Sequence, residues 1–553
     1  MRSDEIKRGL ARAPHRSLLR ALGVSDAEME RPFVGVVNAF SEVVPGHVHL
    51  RSVVDAVKAG VRLAGGVPME FGVMGICDGL AMNHLGMHYS LPSRELIADT
   101  VESMTIAHAF DALVLVPCCD KIVPGMLMAA MRLNVPSVMV GGGAMLAGHL
   151  EGRTLDLNSV FEAVGQHQAG KLDDEGLKAI ECSACPTCGS CSGMFTANSM
   201  NCLAEVIGMA LPGNGTIPAV YSERLRFAKD SGMKVMDVLA ADLKPRDILT
   251  DAAVGNALAA DASLGCSTNT VLHLTAIATE AGLEFDLRRI NEVAARVPHI
   301  CKIAPAGTHH MEDLYHAGGI QAVMKQLIAA GLMDGSALSV AGGTVGEAVA
   351  GARVVDDDVI RPLDRAYHAT GGLAVLFGNL APLGAVVKEG AVADEMLRHS
   401  GPARVFESEK EAVAAISSGD IATGSVLVIR GEGPKGAPGM PEMLSATSML
   451  AGQGRDKDVA LITDGRFSGA TRGAAIGHVA PEAHAGGPIG LVQNGDTIRI
   501  DIPARMLTLD LPEDEIARRT AAQPPIAPRA GVTGYLARYV KLVSGAEKGA
   551  VLQ

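Results

Sequence analysis

The sequence has no tryptophan, and only 6 of its 553 residues are tyrosine and 11 phenylalanine. Glycine, in contrast, occurs 64 times, without a collagen-like period or a low-complexity tract. Because glycine lets backbones approach each other or a ligand closely, we expect tight turns and a site lined partly by backbone. Apolar residues make up 48% and charged residues 20%, which excludes an intrinsically disordered chain.

Positive charge is also scarce. The 48 lysines and arginines are outnumbered by 61 aspartates and glutamates, giving a net charge of −13. Such a chain has no general attraction for nucleic acid or an anionic membrane, so we expect neither as a partner. A small anionic substrate would need a local positive group, such as a metal ion.

Long hydrophobic runs are missing as well. The opening segment MRSDEIKRGLARAPHR has no apolar core, so we expect no signal peptide. The longest uncharged stretch, between Arg365 and Lys388, is broken by Asn379, Pro382 and several glycines, and it makes a poor membrane span. We therefore expect a cytoplasmic protein, in which the 10 cysteines do not form disulfides.

Up to about residue 355, apolar runs typical of buried strands alternate with helical patterns. The predicted strands are Phe33–Val37, Phe71–Ile76, Ala112–Val116 and Val135–Val140, and the predicted helices are His49–Leu63, Arg94–Ala109 and Pro124–Leu133. This alternation predicts an α/β fold with a mainly parallel sheet. Ligands of such sheets bind beyond the carboxyl ends of the strands, which favours Cys77–Asp78 and Cys118–Lys121 as site segments.

The later part of the chain is richer in short apolar runs. We predict strands at Ser425–Arg430, Val459–Thr463, Ile489–Val492, Thr497–Ile502 and Met506–Leu511. Asn494-Gly495-Asp496 predicts a turn between two of them. The sequence thus predicts a large amino-terminal α/β domain over residues 1–361 and a smaller, β-rich, barrel-like domain over residues 362–553.

Two cysteine clusters could bind metal. Cys119 adjoins Asp120 in a predicted strand-to-helix loop, where a soft thiolate suits iron–sulfur clusters or zinc and a carboxylate suits Mg²⁺. On its own, an ordinary polar loop is the commoner explanation. Cys185, Cys188 and Cys191 follow at three-residue intervals, which resembles ferredoxin-type ligand spacing; a structural zinc site is the alternative. This run leads into a predicted helix over Met194–Leu211.

Two later segments carry candidate side chains. The glycine- and proline-rich loop that begins at Gly431 ends in the carboxylate of Glu442. Ser468, between Phe467 and Gly469 after a predicted strand, could be exposed for chemistry, and no histidine stands at a spacing typical of a hydrolase triad. Taken singly, each is more often a turn or capping residue.

Taken together, these segments resemble the dihydroxy-acid dehydratase and 6-phosphogluconate dehydratase family. Further matching segments are Val44–Leu50, Tyr89–Glu95, Ser267–Leu274, His310–Asp313 and Asn379–Pro382, so that the resemblance covers roughly residues 30 to 550. It implies removal of water from 2,3-dihydroxy-3-methylbutanoate and 2,3-dihydroxy-3-methylpentanoate, giving the 2-oxo acids of valine, leucine and isoleucine biosynthesis. A sugar-acid or 6-phosphogluconate dehydratase is the alternative.

The resemblance also implies roles for particular residues, and a homodimer. It assigns Cys119 and Cys191 to an iron–sulfur cluster and Ser468 as the proton acceptor. It assigns to Mg²⁺ the residues Asp78, Asp120, Glu442 and a carboxylated Lys121. An unmodified ammonium has donors only and cannot ligate a cation, which gives the carboxylation a physical reason.

One position departs from part of the family. One branch has a third cysteine ligand where this chain has Gly46. The third ligand would then be Cys77, Cys118, Cys185 or Cys188, or be absent, and the cluster is left open between 2Fe-2S and 4Fe-4S, with 4Fe-4S favoured. Outside the family, an iron–sulfur electron-transfer or sensor protein would explain the cysteines but would not need the carboxylates and the serine.

Overall fold

The computed structural model describes residues 1–523 and 531–553. A four-stranded parallel sheet forms the centre of the amino-terminal part, with strand order β2-β1-β3-β4. Its strands are β1 (Phe33–Asn38), β2 (Val67–Gly72), β3 (Ala112–Val116) and β4 (Ser137–Met139). Three of these strands, β1, β3 and β4, are buried along their whole length, as is typical of parallel strands covered by helices.

Helices and one short hairpin make up the other regular elements of this part. The hairpin pairs β5 (Gly148–Leu150) with β6 (Arg153–Leu155). The helices are Asp4–Lys7, Ala13–Ala21, Asp26–Met29, Leu50–Leu63, Asp78–Ala81, Met87–Ala107, Ile122–Leu133, Leu157–Gln168, Asp174–Ser183, Thr196–Ile207, Ser222–Ala240, Pro245–Ile248, Asp251–Leu264, Asn269–Ala281, Arg288–Ala294, Met311–His316, Gly319–Ala329 and Val345–Ala348.

The strand predictions for this part are confirmed with one shift and one shortening, since β4 spans only three residues of the predicted Val135–Val140. The predicted strand Ala112–Val116 is β3 itself, and β1 runs one residue beyond its prediction. The prediction of Phe71–Ile76 was wrong by four residues at each end, because β2 contains Pro68 and Glu70, which broke the apolar pattern. Proline and a charged residue are tolerated there because β2 is an edge strand of the sheet.

An eight-stranded sheet forms the carboxyl-terminal part, with order β16-β15-β9-β10-β12-β14-β8-β7. A bridge between Phe377 and Met506 links its two ends, so that the sheet is a nearly closed barrel. Strands β11 and β13 form a separate parallel pair. The strands are β7 (Ala374–Leu376), β8 (Gly384–Val387), β9 (Arg398–Phe406), β10 (Val426–Ile429), β11 (Glu442–Met443), β12 (Ala460–Thr463), β13 (Arg466–Phe467), β14 (Ala475–Ala480), β15 (Thr497–Asp501) and β16 (Met506–Leu509). The helices are Glu409–Ser417, Ser445–Gln453, Glu513–Ala522 and Gly534–Leu542.

One strand prediction in this part was wrong. Ile489–Val492 is not a strand, since Pro488–Leu491 forms a 3₁₀ turn. Proline at the first position favours a helical turn, and the run is apolar because Ile489 is buried in the barrel core. Gly495 does adopt a left-handed conformation, with φ of 91°, but the turn there leads from the 3₁₀ segment into β15.

The two parts share a core. Val375, Val386 and Val551 belong to the same hydrophobic cluster as the amino-terminal sheet. The buried Arg94 donates hydrogen bonds to the carbonyl oxygens of Gly549 and Ala550, at 2.8 and 2.9 Å. These contacts fix the carboxyl-terminal part against the helix Met87–Ala107. The domain boundary at residue 361 stays a prediction.

Throughout residues 1–523 and 531–553, no helix has both the length and the apolarity that crossing a membrane requires.

Candidate active site

A cavity of about 300 Å³ lies where loops of the two parts meet. The loop after β2 contributes Cys77 and Asp78, and the loop after β3 contributes Cys119 and Asp120. These loops leave the carboxyl ends of the two strands that flank β1, as predicted for a site on a parallel sheet. Glu442, Ser468 and their neighbours close the cavity from the carboxyl-terminal part.

Three carboxylates come together on one side of this cavity. Asp78, Asp120 and Glu442 each offer an oxygen, and these oxygens lie within 4.8 Å of one another. Octahedral Mg²⁺ binds oxygen at roughly 2.1 Å, which separates its ligand oxygens by roughly 3 to 4 Å. The group therefore fits a small divalent cation after modest side-chain movement.

Lys121 lies between these carboxylates. Its Nζ donates hydrogen bonds to Asp78 and, at 2.8 Å, to Glu442 Oε1, and it lies 3.6 Å from Asp120 Oδ2. Burial alone would lower the pKa of Lys121, but the three carboxylates outweigh that effect and raise the pKa. The ammonium thus occupies the position where a carboxylated lysine would present oxygen to a cation.

Further donors hold the carboxylates in place. The fully buried Arg466 and Asn269 both donate to Glu442 Oε1, Asn269 from 3.2 Å. Ser90 Oγ donates to Asp78 at 2.7 Å. Sequence reasoning gave these three residues no role. The available signals were that Ser90 and Asn269 lie in segments that resemble the family and that Arg466 lies two residues before Ser468.

Asp120 is buried beside two other carboxylates. Burial is the main reason that its pKa is raised to about 7; Asp78 and Glu442 act in the same direction, and Lys121 and Arg466 oppose them. Since a bound cation favours the ionised form of a neighbouring carboxylate, this residue is suited to a metal site.

Four thiols line another side of the cavity, those of Cys77, Cys119, Cys185 and Cys191. Burial raises the pKa of the Cys191 thiol well above its usual value. A thiol in such surroundings binds as thiolate only beside a positive charge, which a metal ion would supply. The structure brings the two cysteines predicted as cluster ligands, Cys119 and Cys191, into the same cavity as the carboxylates.

Two of the other candidate thiols lie elsewhere. Cys118 is fully buried, and its Sγ donates to the Gly143 carbonyl at 3.4 Å. Neither Cys118 nor Cys188 is among the described residues that line the cavity.

The segment containing Gly46 supports Cys119. A Cβ at residue 46 would lie closer to Cys119 Sγ than real Cβ atoms approach, so Gly46 occupies the place next to this thiol. The Cys119 amide donates to His47 Nε2 at 3.1 Å, which requires the His47 proton on Nδ1, where it can be donated to the Ala39 carbonyl at 2.6 Å. Burial lowers the pKa of His47 to about 4 and keeps this tautomer neutral.

Ser468 lies at the end of β13 and lines the cavity. Its backbone amide donates to the Met443 carbonyl at 3.0 Å, which continues the pairing of β13 with β11. A Cβ on the next residue, Gly469, would lie 2.8 Å from both Thr196 N and Ser267 Oγ. Glycine therefore lets this loop approach the amino-terminal part closely enough to bring Ser468 to the site.

The cavity also has an apolar wall. It consists of Met82, Met145, Leu157, Phe161, Phe195 and Leu444. Among the described residues, no lysine, arginine or histidine lines the cavity. The cavity wall therefore combines carboxylates, thiols and a serine with an apolar surface for an aliphatic group.

This fold and this site define a metal-dependent dehydratase. Residues 31–348 match the dihydroxy-acid/6-phosphogluconate dehydratase N-terminal family, and residues 358–550 match its C-terminal counterpart. The chain belongs to the dihydroxy-acid/6-phosphogluconate dehydratase family and is a hydro-lyase, as the motifs predicted.

Full-length relatives are similar along the whole chain. A dihydroxy-acid dehydratase of Carboxydothermus hydrogenoformans is 64% identical over 551 residues, covering 100% of both chains. Proteins of the same name from Moorella thermoacetica and Acetivibrio thermocellus are 61% and 60% identical, again over 100% of both chains.

Proposed function

We propose that this chain is a dihydroxy-acid dehydratase. It removes water from 2,3-dihydroxy-3-methylbutanoate and 2,3-dihydroxy-3-methylpentanoate, and the resulting 2-oxo acids serve valine, leucine and isoleucine biosynthesis. The observation that carries this proposal is a cavity whose wall combines a carboxylate group with an apolar surface. A branched dihydroxy acid combines a polar group and an aliphatic group in the same way.

The same wall argues against the alternative substrates within the family. A phosphate group is usually bound by arginine, by lysine or at a helix amino terminus. The helices Leu157–Gln168 and Thr196–Ile207 begin at the cavity wall, but no basic side chain is found there within the described part of the chain, so the wall lacks the cationic side chains of a phosphate site. The methyl groups of a branched acid suit Leu157, Phe161 and Phe195, whereas the additional hydroxyls of a sugar acid would have to pair with Asn158, Thr187 or Ser192.

The metals belong to the same proposal. Asp78, Asp120, Glu442 and a carboxylated Lys121 would hold Mg²⁺, while Cys119 and Cys191 would hold the iron–sulfur cluster, with 4Fe-4S favoured over 2Fe-2S. When bound, these groups would supply a Lewis acid for the C3 hydroxyl and positive charge for the enolate that develops at C2.

The protein's own side chains orient and protect the reaction. Arg466 and Asn269 hold Glu442, and Ser90 holds Asp78, so that the carboxylates keep their arrangement without the substrate. The apolar wall holds the aliphatic end and excludes water from the reacting carbons. Ser468, on the cavity surface, would accept the C2 proton.

An assay with three substrates tests the function. Anaerobically reconstituted protein with Mg²⁺ is incubated separately with 2,3-dihydroxy-3-methylbutanoate, gluconate and 6-phosphogluconate, and the 2-oxo acid is measured. We expect the highest kcat/KM with the first acid. Preference for gluconate or 6-phosphogluconate would contradict the proposal and favour the alternative.

Ser468→Ala should leave both metals bound and substrate affinity nearly unchanged, because Ser468 Oγ bonds to no other side chain in the described structure. It only accepts a hydrogen bond from the backbone amide of Ala470, at 3.4 Å. The expected loss in kcat is about 10²-fold or more, since a positioned base contributes that much to proton abstraction. Ser418→Ala, at the exposed end of the helix Glu409–Ser417, serves as the control. A loss below about tenfold, or ~1.4 kcal/mol of barrier, would assign the base to another group.

The homodimer and the cytoplasmic location are also part of the proposal. Sedimentation of the reconstituted protein should give a mass twice that of the 57.1 kDa chain. A monomer with full activity would contradict the dimer without affecting the proposed reaction.

A further inference from the structure

A second, much smaller cavity lies behind Ser468. Its volume is about 10 Å³, room for roughly one water molecule. The side chains that line it include Thr268, Lys388, Phe467, Ser468 and Thr471. Ser468 and Gly469 line both this cavity and the active-site cavity, so the serine lies between the two.

Lys388 supplies the only basic side chain on the wall of this small cavity within the described residues. It directly follows β8, is 6% exposed, and its Nζ has no hydrogen-bond partner among residues 1–523 and 531–553. A buried amino group without a partner is costly, so a lysine in this place needs a compensating role or a water molecule. The cavity is of the right size for such a water, with hydroxyl groups of two threonines and Ser468 around it.

The charges around Lys388 leave its amino group able to exchange a proton near neutral pH. Burial lowers its pKa to about 8, while Cys266 and Asp261 act in the opposite direction. Burial also raises the pKa of Asp261 to about 7, and its carboxylate accepts a hydrogen bond from Thr270 at 3.0 Å. His299 is the other titratable neighbour, and burial lowers its pKa to about 3, so it remains neutral.

We propose that Lys388 is a positioning residue for Ser468, whose proton it receives through one water molecule in the small cavity. This inference rests on the proposed dehydration. Serine is a weak base in that reaction, and Lys388 gives it a partner for its own proton. Neither of the two cavities that Ser468 lines has another basic side chain on its wall among the described residues.

The proton transfers balance as follows. The O–H bond of Ser468 breaks, the water takes that proton, and the water gives one of its own protons to the lone pair of the neutral Lys388 amine. The serine oxygen, now negative, takes the C2 proton and then passes it to the hydroxide that leaves C3. One water is formed for each substrate, the serine oxygen is negative again, and Lys388 stays protonated between turnovers.

The variant Lys388→Met, in the reconstituted holoenzyme with Mg²⁺, tests this role. We expect kcat to fall by about 10²-fold, with KM and the visible absorption of the cluster nearly unchanged. The kinetic isotope effect with substrate deuterated at C2 should increase, because proton abstraction becomes more strongly rate-limiting. Lys302→Met is the matched control, since Lys302 is a partly buried lysine that stacks on Tyr367 outside both cavities.

Lys388→Ala separates a role in proton transfer from a structural one. Small primary amines added to this variant should restore part of kcat, in proportion to the free-base form of the amine. Lys388→Met with unchanged kcat would overturn the inference, and so would a folded, metal-loaded Lys388→Ala that no amine rescues. Wild-type protein without turnover of any of the three acids would instead overturn the proposed function itself.

Discussion

Glu442→Gln should abolish dehydration while the absorption of the cysteine-bound cluster persists. Glu442 Oε1 accepts hydrogen bonds from Lys121, Arg466 and Asn269 and completes the three-carboxylate group, so it is the carboxyl-terminal part's contribution to the proposed Mg²⁺ site. An amide is a weaker, uncharged ligand, and its loss of charge leaves the buried Arg466 and the bound Mg²⁺ with one counter-charge fewer. We expect kcat to fall by about 10³-fold or more, as when a charge-stabilising group is removed from an active site.

The measurement combines turnover, bound magnesium and the visible spectrum. Glu389→Gln is the control, because Glu389 is a part-buried glutamate of the same barrel that pairs with Arg505 at 2.6 Å and lines neither cavity. A Glu442→Gln enzyme that remains active, and whose rate does not respond to added Mg²⁺, would refute a cation site that joins the two parts.

Cys119→Ser and Cys191→Ser should each lose the cluster and the activity together. Both thiols line the cavity, and serine replaces a soft ligand by a harder and far less acidic hydroxyl. Bound iron and the visible spectrum measure the loss independently of turnover. If either variant keeps full iron content, the assignment of the cluster to these two cysteines is wrong.

The cavity narrows the choice of a third ligand. Of the four candidates, only Cys77 and Cys185 line it. Cys77 interacts electrostatically with Cys119, Cys185 and Cys191, which places it among all the other cavity thiols. We therefore expect Cys77→Ser to lose iron as severely as Cys119→Ser.

Serine variants of Cys118 and Cys188 should retain the cluster, since neither thiol reaches the cavity wall. Cys182→Ser, a change at an exposed cysteine of the same segment, is the control. Full iron content in Cys77→Ser, with loss in Cys185→Ser, would transfer the assignment to Cys185. Retention in both would mean that the third ligand is not a cysteine of this cavity.

The sequence alone was sufficient to predict which residues meet at the carboxyl edge of the parallel sheet. Asp78 and Asp120 follow strands that are adjacent to the same central strand, so the carboxyl-end rule brings them together even though the second strand was misplaced. Glu442 and Ser468 could be assigned only through the family resemblance. Their approach depends on how the barrel packs on the other part, which no local pattern encodes.

For the same reason, the residues that hold these side chains in place could not be predicted from the sequence. His47 acts on the Cys119 amide across 72 positions, and Asn269 acts on Glu442 across 173. In the sequence, Lys388 is notable only as the end of an uncharged stretch. Its burial next to Ser468 depends on how the barrel folds. Strand β14, with glycine and histidine in its middle, lacked the alternation that identifies a half-buried strand, since all six of its residues are buried.

The hydrogen bonds from Arg94 to the carbonyl oxygens of Gly549 and Ala550 also bear on when the site forms during synthesis. A growing chain that has reached residue 361 already contains Asp78, Asp120 and the cavity thiols, but lacks Glu442 and Ser468. The helix that begins at Met87 receives its last buried partners only when residues 549 and 550 have been made. The proposed Mg²⁺ site can therefore be completed only late, and until then the thiols of the unfinished chain would be open to oxidation or to the wrong metal.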